Sequence, residues 1–388
     1  MISSDIDFKN FKIKKKNLYS KKYLKLILKK KNSVISSLSN DYSFSYSRKK
    51  ILKFKKFTNF RLIGMGGSSL GTQAIFDFLK EKIKKNFVFV DNLENYTFEK
   101  KNKFLNIIVS KSGNTIETIV NANVLIKKKD ENIFITENKN NYLYNLSQNL
   151  KSEVIHHNNF IGGRYSVLSE VGMLPAELMG LDVIKFKQLN NLIKNKKFIN
   201  SLISNVASTI FHVKQKKFNS IIINYDPKSK SLLNWYQQLI AESLGKKSKG
   251  ILPIISNMPK DNHSVMQYYL DGKKNNFYTF FFSRNSAANQ PKIKNSKFLK
   301  KTHSYLKGLN ANMILEKQYR ATEKVFFKKK LPFRSILTFK RDENSIGGLF
   351  CYFMLETILL GRALGVDPYN QPAVELIKTE TKKNFYKK

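Results

Sequence analysis

Short apolar runs alternate with longer segments of helical periodicity along most of the chain. One series of runs lies at residues 60–63, 87–90, 107–109 and 133–135, and a second at residues 221–223, 251–255, 277–282 and 335–339. Such runs are typical of buried strands, and their alternation with helices is typical of parallel sheets. The pattern therefore predicts an α/β protein with two doubly wound parallel sheets in tandem.

The same pattern divides the chain into four segments. We expect a basic helical arm at residues 1–50, a first sheet domain at 51–190, a second at 195–345 and a helical carboxyl-terminal segment at 346–388. In that last segment, residues 346–364 predict a well-buried helix, which a Gly-Val-Asp-Pro stretch ends before a final basic helix.

Length and composition agree with a folded protein of two or three domains. The chain has 388 residues, of which 41% are hydrophobic and 25% charged. The single cysteine, Cys351, excludes an internal disulfide and favours a reducing compartment, so a cytoplasmic location is expected. The most apolar window, residues 346–360, is shorter than the ~20 residues of a membrane span and contains Glu356, so we expect no membrane segment.

The formal charge of +42 makes nucleic acid or another polyanion a candidate partner. However, only eight of the 70 basic residues are Arg, and the Lys residues are spread along the chain instead of clustered. Nucleic-acid recognition relies on Arg for bidentate contacts. A solvated basic surface is therefore the favoured interpretation, nucleic acid is an unlikely partner, and a polyanion-binding protein is kept as an alternative.

A glycine-rich stretch at residues 64–71, Gly-Met-Gly-Gly-Ser-Ser-Leu-Gly, follows a predicted strand and opens a helix. Bare backbone and helix-start amides favour an anion. The stretch matches neither the Rossmann fingerprint, because Ser69 stands where the third Gly belongs, nor the P-loop. It is either an anion-binding loop, with Gly67 and Ser68 as candidates, or a tight turn without a ligand.

A second polar stretch follows another predicted strand, at residues 110–115. Ser110, Lys111, Ser112 and Thr115 bring hydroxyls and a cation to the start of a helix, where they could hold a phosphate. Alternatively, Ser112 or Thr115 only caps that helix. Because open α/β sheets bind ligands beyond the carboxyl ends of neighbouring strands, the two stretches together favour a ligand.

Three further segments carry polar residues in apolar helical settings. Gln238 and Glu242 are four residues apart, on one helix face, and Glu242 is either a general base or an ordinary exposed acid. His263 lies in a loop before a helix, where a lone His is more often structural. Lys378 shares a face with Gln371 in the basic final helix. His and Cys at metal-ligand spacing do not occur, so no metal site is expected.

Taken together, these segments resemble glucose-6-phosphate isomerases of the compact bacterial type. Six stretches occur in the order of that family's motifs, at residues 64–71, 110–115, 162–166, 235–243, 263–267 and 366–378. The resemblance extends over residues 60–378. Two positions depart from the family pattern: Ile377 stands where a Gly often precedes the Lys, and Asn114 replaces a frequent Thr.

The resemblance implies two sugar-isomerase (SIS) domains that bind a phosphosugar at their junction. It implies interconversion of glucose 6-phosphate and fructose 6-phosphate without metal or cofactor, through a cis-enediolate, in a homodimer. Glu242 would move the proton, Arg164 would stabilise the enediolate, and His263, acting in trans, and Lys378 would assist ring opening. The remaining implied substrate-binding residues are Gly67, Ser68, Ser110, Lys111, Ser112, Thr115, Gln238 and Gln371. A phosphosugar sensor without turnover would lack Glu, His and Lys together, yet all three are present.

Overall fold

The computed structural model describes residues 5–13, 18–30, 32–94, 103–127, 129–284, 290–294, 299 and 301–386. The ten strands in this part of the chain are β1 (Ile6–Lys9), β2 (Asn59–Gly64), β3 (Asn86–Val90), β4 (Leu105–Val109), β5 (Glu131–Thr136), β6 (Glu153–His156), β7 (Asn219–Asn224), β8 (Leu252–Asn257), β9 (Asn276–Ser283) and β10 (Phe333–Thr338). They form two five-stranded sheets.

The helices of the described residues lie between and after these strands. They are α1 (Leu18–Lys29), α2 (Ser33–Ser37), α3 (Arg48–Leu52), α4 (Leu70–Phe78), α5 (Ile116–Leu125), α6 (Tyr142–Asn149), α7 (Glu170–Leu178), α8 (Leu189–Leu192), α9 (Lys196–Lys214), α10 (Lys230–Leu244), α11 (Met266–Asp271), α12 (Ala311–Lys328), α13 (Glu343–Leu364) and α14 (Ala373–Tyr386). Short 3-10 helices lie at Gly66–Ser68, Lys80–Lys82, Gly163–Leu168, Pro227–Ser229, Lys260–His263 and Lys301–Leu306.

The first sheet has the strand order β3-β2-β4-β5-β6, and all its pairings are parallel. Every residue of β4 is buried, and the adjacent Ile107 and Ile108 belong to separate apolar clusters on opposite faces. The sheet is therefore covered on both sides, which explains why its strands appear in the sequence as unbroken apolar runs. The predicted α/β class is confirmed.

The second sheet has the order β1-β10-β9-β7-β8, and β1 pairs antiparallel with β10. Residues 6–9, predicted to belong to a helical arm, therefore form an edge strand, and the helices of the arm follow it. Ile6 is buried and Phe8 packs on the ring of Tyr352, so apolar packing fixes this strand. Residues 1–4, 14–17 and 31 of the arm, and 387–388 of the last segment, lie outside the described residues.

Helix α13 forms the centre of the protein. At 22 residues it is longer than the apolar window in the sequence suggested, and by length and composition it could cross a membrane. However, 89% of its most apolar 18-residue window is buried inside the protein, so its hydrophobicity is that of a core helix. The Asp342 side chain accepts a hydrogen bond from the Ser345 amide at its start, and left-handed Gly365 ends it.

Helix α10 joins the two sheets. It follows β7 of the second sheet and packs against α4, which follows β2 of the first, and against α13. Buried Trp235 on α10 meets Phe350 edge to face at 4.7 Å, and its indole nitrogen donates to the Arg164 carbonyl at 3.1 Å. The polar residues of α10 therefore lie at the junction of the two sheets. The boundaries proposed at 51–190 and 195–345 stay a prediction.

Candidate active site

Two polar loops meet where the order of the first sheet reverses. From β2 the chain goes to β3 on one side, and β4 then pairs on the other side. Gly64 is in register with Val109, so the loops after β2 and β4 start side by side. A switch point at the carboxyl ends of parallel strands is the usual ligand crevice of this kind of sheet.

The glycine-rich loop after β2 packs its backbone directly against the turn that carries Arg164. A Cβ added to Gly67 would lie 2.2 Å from the Gly163 carbonyl carbon and 2.5 Å from the Arg164 nitrogen. Gly66 is left-handed (φ 53°), and a Cβ there would lie 2.9 Å from Gln238 Nε2. Because Gly66 and Gly67 have no side chains, this loop can contact both the turn that carries Arg164 and the side chain of Gln238.

The loop after β4 presents hydroxyl groups at the start of α5. Ser110 and Thr115 share a hydrogen bond of 2.8 Å between their hydroxyls, and the Ser112 hydroxyl accepts from the Asn114 amide at 3.3 Å. Thr115 occupies the N-cap position, but its side chain makes no cap hydrogen bond. The alternative in which Thr115 merely caps the helix therefore has no support in the geometry, and the first amides of α5 remain a place for an anion.

Lys111 is held by the protein itself. Its ammonium donates to the Asn159 carbonyl at 2.7 Å and lies 3.7 Å from the Glu137 carboxylate. A phosphate would have to share this cation with both groups.

Arg164 is the centre of the polar cluster, and its side chain is fully buried. Every nitrogen of the guanidinium donates. The acceptors are Ser243 Oγ at 2.8 Å from Nε, Glu242 Oε2 at 3.2 Å from Nη1, Gln371 Oε1 also at Nη1, and the Pro368 and Asn370 carbonyls at 2.8 and 3.0 Å from Nη2. A planar fork held by so many acceptors has a fixed orientation.

Glu242 is fixed in orientation while part of it stays open to solvent. One carboxylate oxygen accepts from Arg164, and the other accepts from Gln238 Nε2 at 2.9 Å. Its side chain keeps 28% of its exposure, so a ligand can reach it. The cluster thus holds a positioned carboxylate and a positioned guanidinium beside the glycine-rich loop, a combination suited to moving a proton and stabilising the charge that results.

A profile of the family "Phosphoglucose isomerase" matches residues 44–385. The chain belongs to the phosphoglucose isomerase family. It is 30% identical over 389 aligned residues to a glucose-6-phosphate isomerase of Methanocaldococcus jannaschii, covering 92% of this chain and 91% of that protein. It is 31% identical over 341 residues to a glucose-6-phosphate isomerase of Campylobacter jejuni, covering 82% of this chain and 83% of the relative.

Solved structures show the same fold at lower identity. A hypothetical protein from Thermus thermophilus aligns with a TM-score of 0.80 at 22% identity, over 94% of both chains. A glucose-6-phosphate isomerase from Chlamydia trachomatis aligns with a TM-score of 0.70 at 16% identity, over 92% of this chain and 79% of that one. The resemblance inferred from the six sequence stretches is confirmed at the level of the family.

Two residues predicted for the site are not brought to it within one chain. His263 is exposed at the end of the 3-10 helix Lys260–His263, and Lys378 is exposed on α14, where it pairs with Glu375 at 2.7 Å. Within the described ranges, neither forms a hydrogen bond or an ion pair with Glu242 or Arg164. By contrast, Glu242, Arg164, Gln238 and Gln371 form one connected cluster.

Sequence reasoning did not identify several partners of Arg164. Ser243 follows Glu242 directly and is buried, and the Tyr165 hydroxyl bonds both Ser243 Oγ and the Pro368 carbonyl at 3.0 Å. Ser243 directly follows Glu242 and Tyr165 directly follows Arg164, and this adjacency could have identified both as site residues. Among the residues that the structure describes, no three or more His, Cys, Asp or Glu side chains gather as a metal site, and the metal-free reaction stays an expectation.

Proposed function

We propose how this member of the family interconverts glucose 6-phosphate and fructose 6-phosphate, the aldose–ketose isomerisation that its family and its relatives' names carry. The observation that supports the site is the carboxylate of Glu242, oriented on both oxygens and open to solvent at the mouth of the glycine-rich loop. The substrate is a phosphosugar, and we place it between that loop and α10.

In the proposed reaction, the Glu242 carboxylate takes the proton from C2 of open-chain glucose 6-phosphate. The C2–H electron pair forms the C1–C2 double bond, and the carbonyl oxygen becomes the negatively charged oxygen of a cis-enediolate. The same carboxyl group returns the proton to C1, while the proton on O2 moves to O1. Arg164 stabilises the negative oxygen, and because its guanidinium is already fixed, this costs no reorganisation during the reaction.

We assign phosphate binding to the two loops at the switch point. Hydroxyls of Ser68, Ser110, Ser112 and Thr115, with backbone at Gly67, lie at or before the starts of α4 and α5. Hydroxyl donors and helix-start amides suit the equatorial oxygens of a phosphate. Lys111 would contribute its charge while it keeps its protein partners.

The two glutamines would orient the sugar. Gln238 Oε1 is buried without a hydrogen-bond partner, while Nε2 of the same amide donates to Glu242. An unpaired buried acceptor is costly, and a sugar hydroxyl that donates to it would remove this cost on binding. Gln371 Oε1 accepts from Nη1 of Arg164, the same nitrogen that donates to Glu242.

We further propose that the enzyme is a homodimer in which His263 reaches the partner's site. His263, with a side chain suited to proton transfer at neutral pH, would open the sugar ring together with Lys378. Both residues are exposed in one chain and apart from the cluster. Helix α14 also exposes Leu376 and Ile377, each at 70%, an apolar surface that a second subunit would cover. We place the enzyme in the cytoplasm, with the free thiol of buried Cys351 as support.

The base is tested by Glu242→Gln, assayed for fructose 6-phosphate to glucose 6-phosphate in the presence of a chelator. We expect turnover to fall by about 10² to 10⁴, because the amide keeps the shape but cannot accept the proton. Phosphosugar affinity should stay within about tenfold. Glu131→Gln, at an exposed acid of the first sheet, is the matched control. Isomerisation near the wild-type rate by Glu242→Gln would remove the assignment.

The shared site is tested by mixing His263→Ala and Glu242→Gln subunits after dissociation and reassociation. Each hybrid dimer would carry one site with both changes and one intact site. Random mixing should therefore restore about a quarter of the wild-type activity, since half of the dimers are hybrids with one working site. Mixtures that form dimers but stay as inactive as the parent variants would contradict action in trans.

A further inference from the structure

The turn between α10 and β8 carries two lysines that both bind backbone carbonyls of a distant segment. Lys246 Nζ donates to the Asp367 carbonyl, and Lys249 Nζ donates to the Leu364 carbonyl at 3.0 Å. Leu364 is the last residue of α13, and Asp367 lies in the connector to α14. The turn therefore ties the carboxyl end of the helix that bears Glu242 to the segment that bears Gln371.

The turn is built to hold these two side chains together. Its backbone closes with a 2.9 Å hydrogen bond from the Lys249 amide to the Lys246 carbonyl. Its two central residues, Lys247 and Ser248, are left-handed with φ of 53° and 55°. Such a turn normally takes Asn or Gly at these positions, so the sequence here adopts a less favoured backbone that places Lys246 and Lys249 side by side.

The connector bound by Lys246 is the same segment that orients Arg164. The carbonyls of Pro368 and Asn370 accept from Nη2, and the Gln371 side chain accepts from Nη1. The carbonyl held by Lys246, that of Asp367, immediately precedes the first of these acceptors. A shift of Asp367 would therefore move the acceptors that set the plane of the guanidinium.

Lys246 is also electrostatically part of the cluster. The pKa of Lys246 is lowered to about 8, mainly by partial burial and secondly by the positive charge of Arg164. The negative charges of Asp367 and Glu242 raise it. The ammonium is thus close enough to sense both the guanidinium and the carboxylate of the site.

We propose that Lys246 is a positioning residue of the active site, which holds the connector in the place where its carbonyls and Gln371 keep Arg164 aimed at Glu242. The inference rests on the proposed function, because it assigns Lys246 a role in the isomerisation proposed for the Glu242 and Arg164 site. Lys246 acts on the reaction through Arg164, so its effect should appear in the transition state more than in substrate binding.

The test compares Lys246→Met, Lys246→Arg and Lys247→Met in the isomerase assay. Lys246→Met should lower kcat by about 10- to 100-fold, as expected for a misplaced catalytic group, with KM close to the wild-type value. Lys246→Arg, which can still donate to the Asp367 carbonyl, should recover most of the loss. Lys247→Met removes the same charge from the same turn, at an exposed side chain, and should leave kcat unchanged.

Each other outcome counts against the proposal. Wild-type kcat in Lys246→Met, a change confined to KM, a loss that Lys246→Arg does not recover, or an equal loss in Lys247→Met would each overturn it. Thermal unfolding of all three variants confirms that kcat is measured on folded protein. If Lys246→Met behaves like the wild type while Glu242→Gln is inactive, this inference fails and the proposed function stands. If the wild-type protein itself does not isomerise the sugar phosphate, the proposed function fails.

Discussion

A methyl group added at Gly67 would test whether the glycine-rich loop and the Arg164 turn must touch. In Gly67→Ala the new Cβ would lie 2.2 Å from the Gly163 carbonyl carbon, 2.4 Å from its oxygen and 2.5 Å from the Arg164 nitrogen. All three atoms belong to the backbone, so no side chain can rotate away. Either the loop or the turn has to move.

The size of the movement follows from these distances. Carbon atoms in contact without a bond prefer about 3.5–4.0 Å, so the 2.2 Å contact requires a displacement of roughly 1 Å or more. Displacing the turn would move Arg164 relative to Glu242, and a 1 Å misplacement in an active site can cost about 10² in rate. We therefore expect kcat to fall about 100-fold, with a loss of stability of about 1–3 kcal/mol from overpacking.

The matched control is Gly162→Ala in the same turn. Gly162 has a φ of −70°, which any residue adopts, and a Cβ there would meet only the Tyr369 carbonyl oxygen, at 3.9 Å. This variant should keep the wild-type kcat and melting temperature. Steady-state kinetics and thermal unfolding of both variants decide the matter. A Gly67→Ala enzyme with wild-type kcat would show that the contact does not position Arg164.

Two further predictions concern buried charges. Burial lowers the pKa of Lys187 to about 7, so between about pH 7 and 10 the unfolded chain binds the additional proton. Stability of the wild type relative to Lys187→Met should therefore rise with pH, by up to ~1.4 kcal/mol per unit, in denaturant titrations; a pH-independent difference would contradict this. Arg334 pairs with Glu356, and both side chains are almost fully buried. Arg334→Met should cost about 3–5 kcal/mol because it leaves the buried Glu356 charge without a cation, whereas Arg334→Met with Glu356→Leu should restore most of it; equal stability of both variants would argue against the pairing.

The eight strands that the sequence pattern located, β2–β5 and β7–β10, include the central strands of both sheets and the edge strands β3 and β8. The central strands β4, β7 and β9 are almost entirely buried and mainly apolar, because both sides of a parallel sheet are covered. The two strands that were not predicted, β1 and β6, are four residues long and lie at sheet edges. β6 begins with Glu153 and ends with His156, so its apolar core is two residues. With only two apolar residues in each, β1 and β6 have a local signal no stronger than that of a loop.

The excess of lysine in the sequence proved to be a property of the surface. Among the residues that the structure describes, Lys187 alone of the lysines is buried, where its ammonium donates to the Ser37 carbonyl at 2.6 Å and also to the Leu168 carbonyl. Ion pairs such as Lys50 with Glu153 keep the lysine largely exposed. The lysine excess therefore gave little information about the fold or the site, whereas the glycine-rich stretch after β2 marked the position of the site.

The sequence could predict those contacts of the site that are made between side chains of one motif. Glu242 and Gln238 are four residues apart on one helix face, so their contact follows from helix geometry alone. The orientation of Arg164 also depends on the carbonyls of Pro368 and Asn370, more than 200 residues away. Every residue has a carbonyl, so no residue type marks these acceptors, and only the folded chain reveals them.

His263 and Lys378 show the limit that applies to any single chain. The order of family motifs assigns both to one reaction, yet each lies on an exposed element without a bond to the Glu242 cluster in the described residues. A single copy of the chain can bury apolar side chains only against itself. On the exposed helix α14, Leu376 and Ile377 stay in contact with solvent. Motif residues that lie apart in one chain, together with uncovered apolar side chains on α14, are what a site completed by a second subunit would produce. The subunit-mixing experiment therefore tests whether His263 of one subunit completes the Glu242 site of the other, which neither the sequence pattern nor the fold of one chain shows.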